Sequence, residues 1–279
     1  TVSTISRHTT EAGQTATFTV RLNSQPLNDV SFNLLTSDAT EGTVTSAGTI
    51  TFTSANWNTN QTVTVTGVND DIDDGDVAYQ INISNGTSTD PKYSGLFGTS
   101  VAVINDDNDT AGFTVSAISN HTTEAGVTAT FTVRLNSKPA TDLTNYVVVV
   151  DVLTDDATEG TALPASLTFD HLNWATPQTV TVTGVDDILV DGNITYHIVL
   201  TNGAGTTDPG YIPIDPSDVT VINDDNDAAT LAINSVSISE GNTGTQNLQF
   251  TITHSGSQVV GGYNLVYFTQ NITARTNDN

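Results

Sequence analysis

The sequence predicts an all-β chain of tandem antiparallel β-sandwiches, two complete and one partial. Three observations carry that expectation. First, long phrases recur in the same order. His-Thr-Thr-Glu-Ala-Gly-x-Thr-Ala-Thr-Phe-Thr-Val-Arg-Leu-Asn-Ser spans 8–24 and 121–137, Gln-Thr-Val-Thr-Val-Thr-Gly-Val spans 61–68 and 178–185, and Ile-Asn-Asp-Asp-Asn-Asp spans 104–109 and 222–227. The period of about 113–118 residues is too long for a solenoid unit and suits a complete small domain. Second, the apolar residues alternate with period two, as in Thr17-Phe18-Thr19-Val20-Arg21-Leu22. Third, clusters of Asn, Asp, Gly and Ser break the runs at sandwich-like spacing.

Each element follows from these patterns. In the first repeat, residues 1–109, the strand phrases are Thr17–Leu22, Gly48–Phe52 and Gln61–Thr66, rich in the Thr that suits a strand with one wet face. In the second, residues 110–227, residues 130–135 and 178–183 repeat the alternation. Val147 to Val150 is a continuous apolar run, as expected of a strand covered on both faces or by a neighbour. Residues 228–279 read as the N-terminal half of a third repeat, with strands expected near Leu231–Ile238, Leu248–Ile252 and Tyr263–Phe268. The acidic closing phrases set the boundaries. Half a sandwich leaves an apolar face and open edges, so the natural chain is expected to continue past Asn279 or another subunit to complete the sheet by strand addition. Thr1 begins almost inside the first strand phrase, which is expected of a processed protein or an excerpt.

Composition narrows the function. The chain has 279 residues, 6 Lys+Arg against 31 Asp+Glu, a net charge of -25, and neither Cys nor Met. Such a surface repels nucleic acid and anionic membranes, so neither is an expected partner. A disulfide scaffold is excluded. No apolar run is long enough to span a membrane, and no stretch of these residues reads as a signal peptide. The nucleophile elbow, paired metalloprotease histidines, phosphate loop and cysteine nucleophile are missing, so no enzyme is expected. Paired carboxylates also serve glycosidases, but clustering in duplicate on loops at a sandwich pole favours a metal.

The order of the phrases resembles the Calx-β family, the calcium-binding immunoglobulin-like sandwich of exchangers, integrins and large bacterial surface proteins. The Gly48–Phe52 strand looks like that family's middle strand. The resemblance implies a Glu near the first strand, an Asp after the third, a paired acidic motif with a further acid, and a terminal Asp cluster, all at one pole. In the first repeat these positions are Glu11, Asp38, Asn69 and Asp70 with Asp74, and Asp106 and Asp107 with Asp109. In the second they are Glu124, Asp156, Asp186 and Asp187 with Asp191, and Asp224 and Asp225 with Asp227. In the third, Glu240 matches Glu11. Ala39 and Ala157 stand where the family usually has an aromatic, and Asn69 stands in place of an acid.

The chemistry agrees with Ca2+ as the implied ion. Calcium takes six to eight oxygen ligands in flexible geometry, which carboxylates from several loops supply. Asp71, Asp73 and Asp76 become Ile188, Val190 and Asn193 in the second repeat, so they are expected in water or behind the ligands. The loop from Asn69 is no EF-hand, because its Gly falls one place late and Gln80 stands where the bidentate Glu belongs. His8 and His121 read as surface-loop residues. Trp57 and Trp174 read as packing over a sandwich end rather than as sugar platforms, and Tyr79 and Tyr196 as buried strand positions. The triplets at Asn60, Asn82, Asn85, Asn120, Asn193 and Asn271 match the glycosylation pattern but arise easily in a chain this rich in Asn and Thr.

The expected protein is therefore secreted or displayed at a cell surface, as a structural and adhesive rod whose ions stiffen the junctions. Its expected partners are neighbouring repeats or identical subunits in a filament or sheath. The alternative is a calcium-dependent adhesin module that binds glycan or protein directly. A regulatory calcium sensor beside an enzyme or transporter is a third class.

Overall fold

The computed structural model describes residues 1–96, 98–140, 146–239 and 243–268, and among them the regular structure is all β. Repeat one contains β1 (Thr9–Thr10), β2 (Thr15–Val20), β3 (Val30–Thr36), β4 (Gly42–Val44), β5 (Thr49–Phe52), β6 (Gln61–Gly67), β7 (Val77–Ile83) and β8 (Ser100–Asp106). One sheet runs β1-β8-β7-β3-β5 and the facing sheet β2-β6-β4. Repeat two contains β9 (Phe113–Val115), β10 (Thr122–Thr123), β11 (Thr128–Leu135), β12 (Val148–Thr154), β13 (Gly160–Leu163), β14 (Ser166–Phe169), β15 (Gln178–Gly184), β16 (Leu189–Val190), β17 (Ile194–Asn202) and β18 (Val219–Asp224). Its sheets run β10-β18-β17-β12-β14 and β13-β15-β11-β9. No helix of the described residues is long and apolar enough to cross a membrane.

The alternation seen in the sequence is the alternation between core and water. In β2, Ala16, Phe18 and Val20 are buried while the Thr between them are not. β2 pairs with β6 so that Phe18 lies opposite Val63, and β11 pairs with β15 so that Phe131 lies opposite Val180. Burying each Phe is worth about 1.5–3 kcal/mol. Phe18, Phe52, Val63 and Ile81 anchor the first core, and Phe131, Phe169, Val180 and Ile198 the second. Val148 and Val150 face the core from β12, while Val149 is partly covered by the turn at Gly203 and Gly205. Trp57 and Trp174 each pack against the edge of a core. Tyr79 and Tyr196 are buried, and each ring lies where a side chain on Gly42 or Gly160 would sit, so only glycine fits there.

The third segment is less formed than its sequence suggests. β19 (Ala229–Ile233) pairs only with β20 (Ile252–Gly256), and β21 (Gln258–Val259) joins β16 instead. The strand expected at Leu231–Ile238 ends at Ile233, the one at Leu248–Ile252 contributes only Ile252, and Tyr263–Phe268 forms none. The reason is physical. Among the described residues there is no opposing sheet, Ile233 and Phe250 are left 64% and 54% exposed, and a two-stranded ribbon is marginal without a layer to pack on.

Candidate metal centre

Each complete repeat gathers its acids at one pole, because the loops that carry them leave strands ending on the same side. β1 pairs in parallel with β8, so Thr10 lies beside Asp106 and the Glu11 turn meets the closing phrase. β10 and β18 do the same for Glu124. In repeat one, carboxylate oxygens of Glu11, Asp107 and Asp109 lie within 4.8 Å of one another, as do those of Glu41, Asp70 and Asp74. In repeat two the groups are Glu124, Asp187 and Asp227, and Glu159, Asp187 and Asp191, so Asp187 belongs to both. Two oxygens on one calcium lie at most about 4.6–5.2 Å apart, twice the usual 2.3–2.6 Å bond. The spacing fits that ion.

The electrostatics favour a positive partner for these acids. Glu11 is pushed up to about 7, chiefly by burial, with Asp70, Asp107 and Asp109 adding repulsion and the Asn108 amide opposing. Asp74 is pushed up to about 6, first by the protein crowding its carboxyl and then by Glu41, Asp70 and Asp107. Burial also leads the upward shifts of Glu41, Asp109, Glu124 and Glu159. Such shifts mark carboxylates held close without compensation. Asp227 Oδ2 is buried with no hydrogen-bond partner among the described residues, an orphan a cation would satisfy. The groups contain only hard oxygen donors, which suits Ca2+ better than a softer metal.

The residues singled out in the sequence divide in two. Glu11, Asp70, Asp74, Asp107, Asp109, Glu124, Asp187, Asp191 and Asp227 fall in the groups. Asp225 holds the position of Asp107 and makes the same bonds, accepting from the amides of Gly192 at 2.8 Å and Asp227 at 2.7 Å. The others are engaged elsewhere. Asp38 and Asp156 turn back to accept from Thr40 and Thr158, hydroxyl and amide alike, and the Thr40 hydroxyl leads in holding Asp38 below the usual carboxylate range. Asp106 Oδ1 lies 2.6 Å from His8 Nδ1, and Asp224 Oδ1 3.0 Å from His121 Nδ1. The two histidines are exposed, as a surface-loop reading expects, but each is tied to a predicted ligand. Asn69 Oδ1 accepts from Asn108 at 3.0 Å, and Asp186 accepts from Asn226 at 3.4 Å. Glu240 lies outside the described residues.

Two members escaped the sequence reading. Glu41 and Glu159 are only 6% and 7% exposed, and Asn105 and Asn223 donate to them at 3.5 and 3.3 Å. The signal was present: Asp-Ala-Thr-Glu-Gly-Thr occurs at 38–43 and again at 156–161. The turn that the leading Asp makes onto Thr40 or Thr158 aims the Glu three places on into the pole.

The acidic loop after β6 also reaches the next module. The Lys138 amide donates to the Asp71 carbonyl at 2.6 Å, and the Ala111 amide to Asp73 Oδ2 at 2.7 Å. Asp76 Oδ1 accepts from the Asp107 amide at 3.1 Å. At the second junction β16 pairs in parallel with β21, the Gln258 amide donates to the Ile188 carbonyl at 3.0 Å, and Ser257 donates to Asp227. Asp71 and Asp73, expected in water or behind the ligands, are therefore junction residues.

Fold and pole together define a tandem of immunoglobulin-like sandwiches built to hold cations. The sequence profile of the Calx-beta domain matches residues 1–108 and again 105–227, and the chain belongs to that family. Calx-beta domains bind Ca2+ and are regulatory or structural modules rather than catalytic ones. Among solved structures, the calcium binding domain CBD12 of CALX1.1 is 12% identical, with 78% of this chain and 96% of that one covered at a TM-score of 0.29. CBD12 from CALX1.2 is also 12% identical, with 79% and 96% covered at 0.29. The E. coli chaperone DraB is 8% identical, with 79% and 96% covered at 0.27. A search of curated proteins finds no match.

Proposed function

We propose that this chain is an extracellular structural and adhesive repeat protein in which Ca2+ at the acidic pole of each sandwich stiffens the junction to the next. The ligands are the two carboxylate groups of each repeat, giving two cation positions per pole, with Asp187 shared between the pair in repeat two. One observation carries this reading. Asp70 and Asp74, in a carboxylate group, flank Asp71 and Asp73, which bond the next repeat, so one short loop serves both ion and junction. A bound ion supplies positive charge that removes the repulsion among these acids, and the loop then has one preferred shape to present to its neighbour. The secreted or surface location rests on the acidic composition and the tandem design.

Small-angle scattering of the whole chain, with calcium and with chelator, tests the reading. The expected result is a longer, stiffer particle with calcium, and Asp70→Asn with Asp74→Asn abolishes the difference. Identical profiles in all conditions would sink it. A filament or sheath reading is favoured by the exposed apolar residues of the third segment, among them Ile233, Phe250 and Val260. Strand addition between identical subunits would cover them, and sedimentation that depends on chain concentration checks this. Direct adhesion to glycan or protein is the alternative use of the same rod, which ligand screening separates.

A further inference from the structure

Each acidic pole is tied to its sandwich core through one buried asparagine. Asn105, on β8, is 1% exposed and pairs with Thr9 of β1, and Asn223 on β18 is buried to the same degree beside Thr122 of β10. The core end of the tie is alike in both repeats. The Tyr79 hydroxyl lies 3.1 Å from Thr9 Oγ1, which donates to Asn105 Oδ1 at 3.0 Å. From Tyr196 through Thr122 to Asn223 the distances are 3.3 and 3.1 Å. Gly67 and Gly184 leave the room, because a Cβ on either would lie 2.3 Å from the asparagine Oδ1.

The other end reaches two acid-bearing segments at once. Asn105 Nδ2 donates to the Val68 carbonyl at 3.1 Å and to Glu41 Oε2 at 3.5 Å. Asn223 Nδ2 donates to the Val185 carbonyl at 3.1 Å and to Glu159 Oε2 at 3.3 Å. The Val68 amide in turn donates to the Glu41 carbonyl at 3.0 Å, as the Val185 amide does to that of Glu159. Val68 stands two residues before Asp70 and Val185 two before Asp187, so each asparagine holds two members of one carboxylate group in a single frame. An asparagine amide has two N–H donors, and both are spent on the pole.

We propose that Asn105 and Asn223 are positioning residues that make the Glu41 and Glu159 cation positions prefer calcium to magnesium. The inference rests on the calcium reading above and names what fixes the ligands. The bonds to the glutamates are long and those to the valine carbonyls ordinary, so the amide fixes chiefly the backbone from which Glu41 and Asp70 reach. Magnesium demands oxygens at about 2.0–2.1 Å in a near-octahedral array, whereas calcium accepts flexible geometry at about 2.3–2.6 Å. Ligands must therefore close further around magnesium, and a frame held by a buried, fully bonded amide resists closing. Residue type fits the task. A Lys or Arg at this place would neutralise the glutamate and compete with the ion, while a neutral amide leaves the carboxylate's charge to the cation.

Calorimetric titrations of the whole chain with calcium and with magnesium test this. In Asn105→Leu with Asn223→Leu, calcium affinity is expected to fall about 10–100-fold, the usual loss when a group that holds a metal's ligands is removed. Magnesium affinity should change less, so that the preference narrows at least ~10-fold. Tyr79→Phe with Tyr196→Phe cuts only the core end of the tie, and a lower melting temperature with an unchanged preference is expected. A further measurement needs no variant. In calcium-free protein the side-chain amide protons of Asn105 and Asn223 should exchange slowly with water, and they decide alone if the Leu variants do not fold. Equal losses of calcium and magnesium affinity, equal narrowing in the Tyr variants, or freely exchanging asparagine amides would overturn the proposal and leave the calcium reading standing. No calcium uptake by the unaltered chain would overturn both.

Discussion

At the first junction the loop after β6 meets its neighbour through Asp71, Ile72 and Asp73, whereas at the second the matching Leu189 and Val190 form a strand with Gln258 and Val259, and the Ile188 carbonyl accepts from the Gln258 amide. The contact point is the same in both, a carbonyl of the loop accepting from an amide just beyond the next module's first hairpin strand. The chemistry differs. Repeat one adds Asp71, Asp73 and Asp76 to its pole, while repeat two replaces them with Ile188, Val190 and Asn193. Upward shifts in repeat one reach Glu11, Glu41, Asp74 and Asp109, and in repeat two Glu124 and Glu159. A junction made by an acidic loop is therefore expected to depend on its cation, and one made by an apolar loop to lean on strand pairing.

The largest expected effect is on stability. An ion bound only by the folded state adds about 2.7 kcal/mol when present at 100 times its dissociation constant. Chelation should therefore destabilise both repeats, and repeat one more. Hydrogen exchange of β2 and β11, followed with and without calcium, reads the two separately, and equal losses would break the contrast.

Next in size is the loss of the buried glutamates. Glu41→Gln and Glu159→Gln are each expected to lower calcium affinity at least about 10-fold, since charge count sets affinity in oxygen sites. Asp38→Asn and Asp156→Asn should do far less, because those carboxylates are turned onto Thr40 and Thr158. Calorimetric titration of the four variants ranks them. A larger loss for the Asp pair would reverse the assignment.

Acidity gives a third contrast. Glu11 and Asp74 have folded values near 7 and 6, above the ordinary 4.5 and 3.8. The folded state then holds more protons than the unfolded one between about pH 4 and 7. The stability these groups contribute is present below the ordinary values and lost as pH rises through the folded ones. Calcium-free protein should melt at lower temperature at pH 8 than at pH 5, more so for repeat one, while calcium affinity rises over the same interval. Calorimetric scans across this range check the sign, and a calcium-free protein that gains stability towards pH 8 would refute it.

The smallest effect expected is at the linker. Asp73→Asn leaves a weaker acceptor for the Ala111 amide, so it should widen the distribution of inter-repeat angles while barely changing calcium affinity. Spin-label distances across the junction test this. Asp106→Asn should likewise cost less affinity than Asp107→Asn, since Asp106 faces His8 while Asp107 faces Glu11 and Asp109.

The sequence by itself determined the sandwich architecture, because alternation of Phe, Val and Ile with Thr is the pattern of a sheet with one dry face, and duplication displayed it twice. The resemblance that the order of the phrases carries also implied that Glu11, Asp70, Asp107 and their second-repeat counterparts belong to one pole. Tertiary structure alone decided which acids lie close enough to hold one ion between them. A carboxylate's aim is set by its turn, so Asp38 folds back onto Thr40 while Glu41, three residues on, enters the pole, and no spacing rule separates the two. The junction was equally hidden: Asp71 and Asp73 look like solvated acids until the next repeat brings its amides within hydrogen-bond reach. Strand patterns are local and survive in one dimension. Ligand sets and junctions join residues up to about a hundred positions apart, and only the fold brings these together.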